Sequence, residues 1–461
     1  MLGAECDGAP ASEGPSASAN GAVAAQAWRH ARVRTTRVNL AVRLFFLWPL
    51  RWEGFRNGLH PFRGSAKGLS DAAPATRTAK SRDPSMGPMA TVTALPSTFD
   101  DWVAQFNAWQ AKVGFDTAWL GDYKFEAKYD YDVVKPAIEF GDYAGLPKWE
   151  RPLQIPHQNI RDALLHLITV QGDTEFASVE QQRHLLSSAP TEYDRKSALR
   201  IMAEEQRHGW QMCHLLMTYF GEEGAREAKK LLERNANEGT RILGSFNEPT
   251  KNWLDFFVFT QFVDRDGKYQ LKMLSHSAFK PLAASMGPML KEESFHLGTG
   301  SNGLRRIVKQ GVIPLPVLQR AFNRWIPTAF DLFGKDGSTS SEWAYVWGIK
   351  GRYDEDTNAE PVTEKAKLNA YNRDLYRAEI VREVELLNKL IPEAKDHLVV
   401  PDSKFHRAIG PYVGGEWTVE GEAWKGKGTY SDYLAEVLPR REDDAVLAEC
   451  FKQEWIAAKA A

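Results

Sequence analysis

Apolar residues recur three and four positions apart over several long stretches of the chain, and stretches that alternate at every second position are scarce. The first spacing marks one face of a helix and the second a half-buried strand, so the pattern predicts an all-α protein. An aromatic-rich amphipathic stretch opens at Thr98 with Phe99-Asp100-Asp101-Trp102. A helix start is predicted at Asn159 with Asp162, and its apolar spacing holds until Ser187-Ser188-Ala189-Pro190. Thr191 with Asp194 resembles a capping box for the next helix, which Gly221 would stop in a left-handed conformation. A helix over residues 222–234 follows, then one from Pro249-Thr250 to about Ser275. Another is predicted from Lys280-Pro281 to the Gly298/Gly300 cluster, kinked at Pro288. A polar helix over 362–391, a Gly/Trp-rich irregular stretch and a terminal helix over 441–460 complete the pattern, and no segment repeats.

Residues 1–88 break this texture: 1–27 are Ala/Gly/Ser-rich, 29–56 Arg-rich and 64–88 again rich in Ser, Ala, Pro and Gly. They are expected to form a disordered extension; an organelle transit peptide, or a true start at Met86 or Met89, are the other readings. The apolar run near 38–50 is interrupted by Arg43 and Pro49 and is too short to span a bilayer. Residues 89–461 are expected to form one domain, with its bundle core at about 156–305. The 461 residues are 43% hydrophobic and 26% charged, enough to bury a sizeable core. A formal charge of −2 hides an asymmetry, because residues 1–85 hold 12 Lys/Arg against 6 Asp/Glu and the remainder 46 against 54. An acidic body argues against a nucleic-acid partner, and no membrane partner is expected. Cys6, Cys213 and Cys450 share no metal-ligand spacing and make no disulfide framework, which suits a cytoplasmic protein.

The chemistry lies in acids and histidines on the long helices. Of eleven histidines, only His208 and His296 follow a Glu by three positions, in Glu205-Gln206-Arg207-His208 and Glu293-Ser294-Phe295-His296. Residues three apart share a helix face, so each pair could offer one metal a carboxylate oxygen and an imidazole nitrogen. A four-helix di-metal site needs one further carboxylate from each of two other helices. Glu175 lies 30 residues before Glu205, with its midpoint at Pro190, and Asp264 lies 29 before Glu293, with its midpoint near Ser277-Ala278. Both midpoints coincide with predicted helix breaks, so in antiparallel hairpins the partners stand at matching heights, about 22 Å from the turn. The 56 residues from His208 to Asp264 suit one long crossover.

The plainer alternative makes these acids surface charges and the histidines core residues, with Lys268 as an ion-pair partner for Asp264. Glu204 and Glu292 are expected to point about 100° away, Glu204 pairing with Arg207 on a solvated face. Glu180, His166, His184, His214 and His276 have no matched partner and are expected in packing or on the surface. Arg305, Arg306, Arg320 and Arg324 could meet nucleotide phosphates, with solvated surface charge the plainer reading. Gly-rich phosphate loops, a nucleophile elbow and paired CxxC motifs are missing from the sequence. Four carboxylates with two imidazoles form a hard donor set that suits Fe or Mn. Gln171, one turn before Glu175, could reach a ligand carboxylate or a bound oxygen species, or simply bridge two helices.

The runs ITVQGDTEFASVEQQRHLL (168–186), MAEEQRHGWQMCHLL (202–216) and LKEESFHLGTGSNGLRRIV (290–308) resemble the oxygenase components of benzoyl-CoA 2,3-epoxidases. The resemblance covers most of the chain from about Thr91. It implies a ferritin-like di-iron enzyme with iron ligands at Glu175, Glu205, His208, Asp264, Glu293 and His296. It further implies benzoyl-CoA and O2 as substrates and electrons from a separate NADPH-dependent flavin and iron–sulfur reductase. The product would be the 2,3-epoxide of benzoyl-CoA, in aerobic benzoate degradation. Another ferritin-like oxidoreductase, a desaturase or a radical generator using Tyr219 or Tyr269, remains an alternative, as does a non-enzymatic iron-binding bundle.

Overall fold

A computed structural model describes residues 94–392 and 396–459 of the chain, so the expected 1–88 extension lies outside the described residues. Helix α1, Phe99–Val113, is closed at its start by a reciprocal cap between Thr98 and Asp101. Its buried face carries Trp102, Phe106 and Trp109, with neighbouring rings stacked 5.4 and 5.7 Å apart. This face packs on Phe176 and Trp210, and the Trp102 indole donates to the Ala228 carbonyl.

Two antiparallel hairpins make the core. In the first, α2 (Gln158–Gln182) runs on through 3-10 turns to Ser188, and α3 (Glu192–Tyr219) starts on the Thr191 side chain, which accepts from the Asp194 amide. Pro190 falls in the turn. In the second, α5 (Trp253–Leu274) is capped by Asn252 and is followed by α6 (Lys280–Gln310). The intervening turn is closed by Lys148, whose buried ammonium donates to the carbonyls of His276 and Ser277 at 3.0 and 2.9 Å. The crossover between hairpins contains α4, Gly221–Glu233. Gly221 has the left-handed φ of 57° expected of a stop, although it also begins α4.

Helix α6 corrects one expectation. It does not stop at the Gly298/Gly300 cluster but continues to Gln310, ending on left-handed Gly311. A Cβ on Gly300 would stand 2.6 Å from the Gln261 amide nitrogen, and one on Gly303 would strike the Phe257 ring. The glycines therefore let α5 and α6 approach closely rather than break the helix. Pro288 lies inside α6. Proline removes the N–H that would bond the carbonyl four residues back, and that carbonyl, on Ala284, accepts instead from the Asp130 amide at 2.9 Å.

The C-terminal part wraps the second hairpin. Helix α7, Leu315–Leu332, sets Trp325 and Phe322 edge-on against Phe259 and Phe262 of α5. Helix α8 (Thr339–Val346) and α9 (Leu368–Asn388) follow, then α10 (Tyr430–Val437) and α11 (Arg441–Cys450). Two late helices are shorter than predicted. Arg352 holds the chain before α9 by bonding the carbonyls of Asn358 and Glu360. Beyond α11 the chain buries Trp455 and Ile456 and exchanges bonds between Ala457 and Arg306, a path that a helix could not follow. Among the described residues there is no strand, only isolated bridges. No helix of the described residues is long and apolar enough to cross a membrane.

Candidate metal centre

The two hairpins bring all six acids and histidines singled out by spacing to one place, at mid-height of the bundle. Glu175 comes from α2, Glu205 and His208 from α3, Asp264 from α5, and Glu293 and His296 from α6. Their donor atoms form two groups, Glu175–Glu205–His208 and Glu205–Asp264–Glu293–His296, each with all atoms within 4.8 Å of one another. His208 Nδ1 stands 3.4 Å from Glu175 and 3.6 Å from Glu293 Oε1. His296 Nδ1 stands 3.4 Å from Glu205, 3.5 Å from Asp264 and 3.5 Å from Glu293 Oε2. One oxygen of Glu293 therefore faces each imidazole, and Glu205 belongs to both groups.

These separations are long for hydrogen bonds and right for a shared cation. Ligands about 2.1 Å from one ion stand about 3.0–3.5 Å from each other at octahedral or tetrahedral angles. Both Nδ1 atoms and Glu293 Oε2 are buried and lack a hydrogen-bond partner. The donor set is oxygen-rich and hard, so the residues fit a pair of iron or manganese ions.

Electrostatics give the same picture. Burial pushes the Glu205 carboxyl well above the ordinary range, and the Asp264 charge adds to the effect. Burial and then Asp264 raise Glu293 to about 7. Burial opposes charge on both imidazoles, yet Glu293, Asp264, Glu204 and Glu205 together raise His296 well above its usual value. Glu175 and Glu292 likewise raise His208. Burial works to raise Glu175, but the neighbouring His208 imidazole and the bond from Gln171 bring it down. A crowd of buried acids that draws in protons this way is one that a divalent cation would also satisfy.

Each imidazole is also held from behind. His208 Nε2 meets Glu292 at 2.9 Å and His296 Nε2 meets Glu204 at 3.0 Å. An Nε2–H donating outward leaves the Nδ1 lone pair facing the cluster. Arg207 and Lys128 hold Glu292, and Arg200 holds Glu204. This overturns the expected Glu204–Arg207 pair on a solvated face. A turn of about 100° from the ligand face of α3 points at α6, not at water, so each acid serves the histidine of the opposite helix. The signal was present as a doubled acid in both motifs, Glu204-Glu205 and Glu292-Glu293.

The other candidates resolve as follows. Gln171 Nε2 donates to Glu175 Oε1 at 2.6 Å. Lys268 pairs with Glu379 of α9 at 2.9 Å, leaving Asp264 to the cluster. Arg306 and Arg320 are neither phosphate sites nor solvated, since they are buried in ion pairs with Asp194 and Asp443. Arg324 reaches the Pro249 carbonyl and Glu248, and Arg305 is exposed. Glu180 is a buried ion-pair member, His214 bonds Tyr129 at 2.8 Å, and His276 meets Glu139 at 3.3 Å. Sequence reasoning missed Tyr123, which sits where the charges of Glu292, Arg207, Glu204 and His296 act on its hydroxyl. That tyrosine lies outside the helices, in a segment with no periodicity to mark it.

Two helix hairpins that converge carboxylates and imidazoles at mid-height define a ferritin-like carboxylate bundle. A family model described as "Phenylacetic acid catabolic protein" matches residues 150–395, which contain all six cluster residues and Gln171, and the chain belongs to that family. It is 33% identical over 380 residues to benzoyl-CoA oxygenase component B of Aromatoleum evansii, covering 70% of this chain and 78% of that protein. To one of the subunits of 1,2-phenylacetyl-CoA epoxidase from Escherichia coli (strain K12) it is 26% identical over 273 residues, covering 58% of this chain and 79% of that one.

Proposed function

We propose that this chain is the oxygenase component of an aryl-CoA epoxidase, with benzoyl-CoA as substrate and two irons held by Glu175, Glu205, His208, Asp264, Glu293 and His296. The observation that carries this reading is the six-donor cluster inside the segment that the family model matches, in a chain similar to two aryl-CoA oxygenase components. When bound, the irons supply the electrons that reduce and split O2. Glu175, Glu205 and His208 would hold one iron and Glu205, Asp264, Glu293 and His296 the other, with Glu205 common to both groups. Glu204 and Glu292 fix the histidine tautomers, and Gln171 holds the Glu175 carboxylate. Burial of the cluster excludes water, so that oxygen goes to substrate rather than being lost as peroxide.

The balanced reaction takes benzoyl-CoA, O2, NADPH and a proton to 2,3-epoxy-2,3-dihydrobenzoyl-CoA, water and NADP⁺. Electrons come from a separate NADPH-dependent flavin and iron–sulfur reductase, in the cytoplasm, during aerobic benzoate degradation. The test supplies reductase, NADPH, benzoyl-CoA and isotopically labelled O2. One labelled oxygen in the CoA product supports the reading; NADPH oxidation without labelled product contradicts it. A radical-generating reading keeps one supporting observation, the buried and unpartnered Tyr123 hydroxyl, which the charges of Glu292 and Glu204 act on. Tyr219 and Tyr269 fit it less well, since Tyr219 packs on Phe279 and Tyr269 bonds Glu379. A tyrosyl radical signal after oxygen exposure, lost in Tyr123→Phe, would favour that reading.

A further inference from the structure

Glycine inside a helix is less stable than alanine, so a helical glycine needs a reason. Gly300 and Gly303 have one in the close approach of α5 and α6. Gly267, in the middle of α5, has no such reason. The nearest atoms that a Cβ there would meet are the Glu293 carboxylate, with Oε1 at 3.8 Å and Cδ and Oε2 at 3.9 Å. Those are ordinary contact distances, and the fold would accept the methyl group. What alanine would take away is the space lying directly against a cluster carboxylate.

That space lies on the open side of the cluster. Asp264, one turn earlier on the same helix, has its side chain 13% exposed, against 3% for Glu293 and 0% for His296. Gly267 is itself partly exposed. Its neighbour Lys268 is drawn to Glu379 of α9, and Tyr269 donates to the same carboxylate at 2.8 Å. Within the reading that this is an aryl-CoA oxygenase, the flat acyl ring has to reach the cluster while the bulky nucleotide stays outside. We infer that Gly267 is a specificity-determining position, whose missing side chain leaves room beside Glu293 for the aryl end of the thioester.

The experiment uses the full, iron-loaded chain with Gly267→Ala and Gly267→Leu. Iron per chain stays at the wild-type level in both, and Gly267→Ala melts about 1–2 °C higher because helix propensity improves. Calorimetry without reductase reads the Kd of benzoyl-CoA and of free CoA. Gly267→Leu weakens benzoyl-CoA about tenfold or more and leaves CoA within about twofold, because only the acyl end meets the new side chain. In Gly267→Ala, the kcat/KM ratio of benzoyl-CoA over 4-methylbenzoyl-CoA rises about fivefold or more. A merely structural glycine would move neither the CoA-referenced affinity nor that ratio. If Gly267→Leu loses iron or fails to fold, the Kd pair of Gly267→Ala decides.

A wild type that binds no benzoyl-CoA overturns both this inference and the proposed function. Equal benzoyl-CoA affinity in wild type and variants overturns the inference alone. Binding that Gly267→Leu blocks, in a wild type that forms no epoxide, upholds the seat at Gly267 and overturns the proposed activity alone.

Discussion

Helix α2 contributes acids to two buried clusters within a few residues of each other, and they are built in opposite ways. Asp173 and Glu180 face Arg241, with side chains at most 1% exposed. Every oxygen of that pair is bonded. Asp173 accepts from Arg241 at 3.1 Å and from the Ile242 amide at 2.6 Å. Glu180 accepts from Arg241 at 2.7 and 3.1 Å, from Trp109 at 3.2 Å and from the Ala236 amide at 2.7 Å. Glu175, between them in sequence, belongs to a cluster whose imidazole Nδ1 atoms face oxygens at 3.4–3.6 Å and bond none. The first cluster is complete without a ligand and fastens the crossover to α2. The second leaves donor atoms that a cation would satisfy. Burial of an acid alone does not separate structure from function; what separates them is whether the protein satisfies its own oxygens.

The largest effect should come from breaking the closed cluster. Arg241→Met leaves two carboxylates buried without their guanidinium and should cost about 3–5 kcal/mol by denaturant unfolding. Glu205→Gln should leave the stability of the chelated protein unchanged or raised, since the amide mimics the protonated acid that burial favours there. A large loss in both variants would erase the contrast.

The next effect is a pH dependence confined to the open cluster. The fold favours the protonated form of Glu293, raised from 4.5 to about 7, so its stabilisation is present at low pH and lost as pH rises between those values. Glu205 acts with the same sign. His208 and His296, raised above 6.5, stabilise fully below that value and lose the contribution as pH climbs through their folded values. Glu175, lowered, works the other way only in acid, below its ordinary 4.5. The chelated protein should lose on the order of 3 kcal/mol between pH 5 and 7.5. Denaturation midpoints of chelated and iron-loaded protein check this, since bound iron should remove the loss. A chelated protein with a flat profile would contradict it.

Smaller effects follow in the residues behind the cluster. Glu292→Gln should weaken iron binding about 10–100-fold with little change in stability of the chelated protein, as read by competition with a chelator. Gln171→Leu should keep both irons and lower product formed per NADPH by about twofold, with peroxide making up the difference. Unchanged coupling would reduce Gln171 to a simple support for Glu175.

The open cluster was legible because its residue types are rare and its geometry is local. Two Glu-x-x-His turns and two midpoints falling on helix breaks need only helix periodicity and hairpin closure. The rest depends on which neighbour a face meets, which periodicity does not encode. Glu204 and Glu292 lie one residue off the ligand stripe, and only the packing of α3 against α6 decides that they reach histidines instead of water. Arg241 meets acids 61–68 positions away from a loop with no period at all, and Arg306 of α6 meets Asp194 of α3 at a separation of 112 positions. The Gly298/Gly300 pair carried a stop signal, yet the missing Cβ of Gly300 serves close packing against α5 inside a continuing helix.

Iron counting on anaerobically loaded protein bears most directly on the cluster's role. Wild type should hold two irons per chain, and Glu205→Ala and His296→Ala should each lose at least one, while any folded Arg241→Met protein keeps two. Full iron in both ligand variants, or a wild type that takes up none, would contradict the assignment of these six residues to a metal pair.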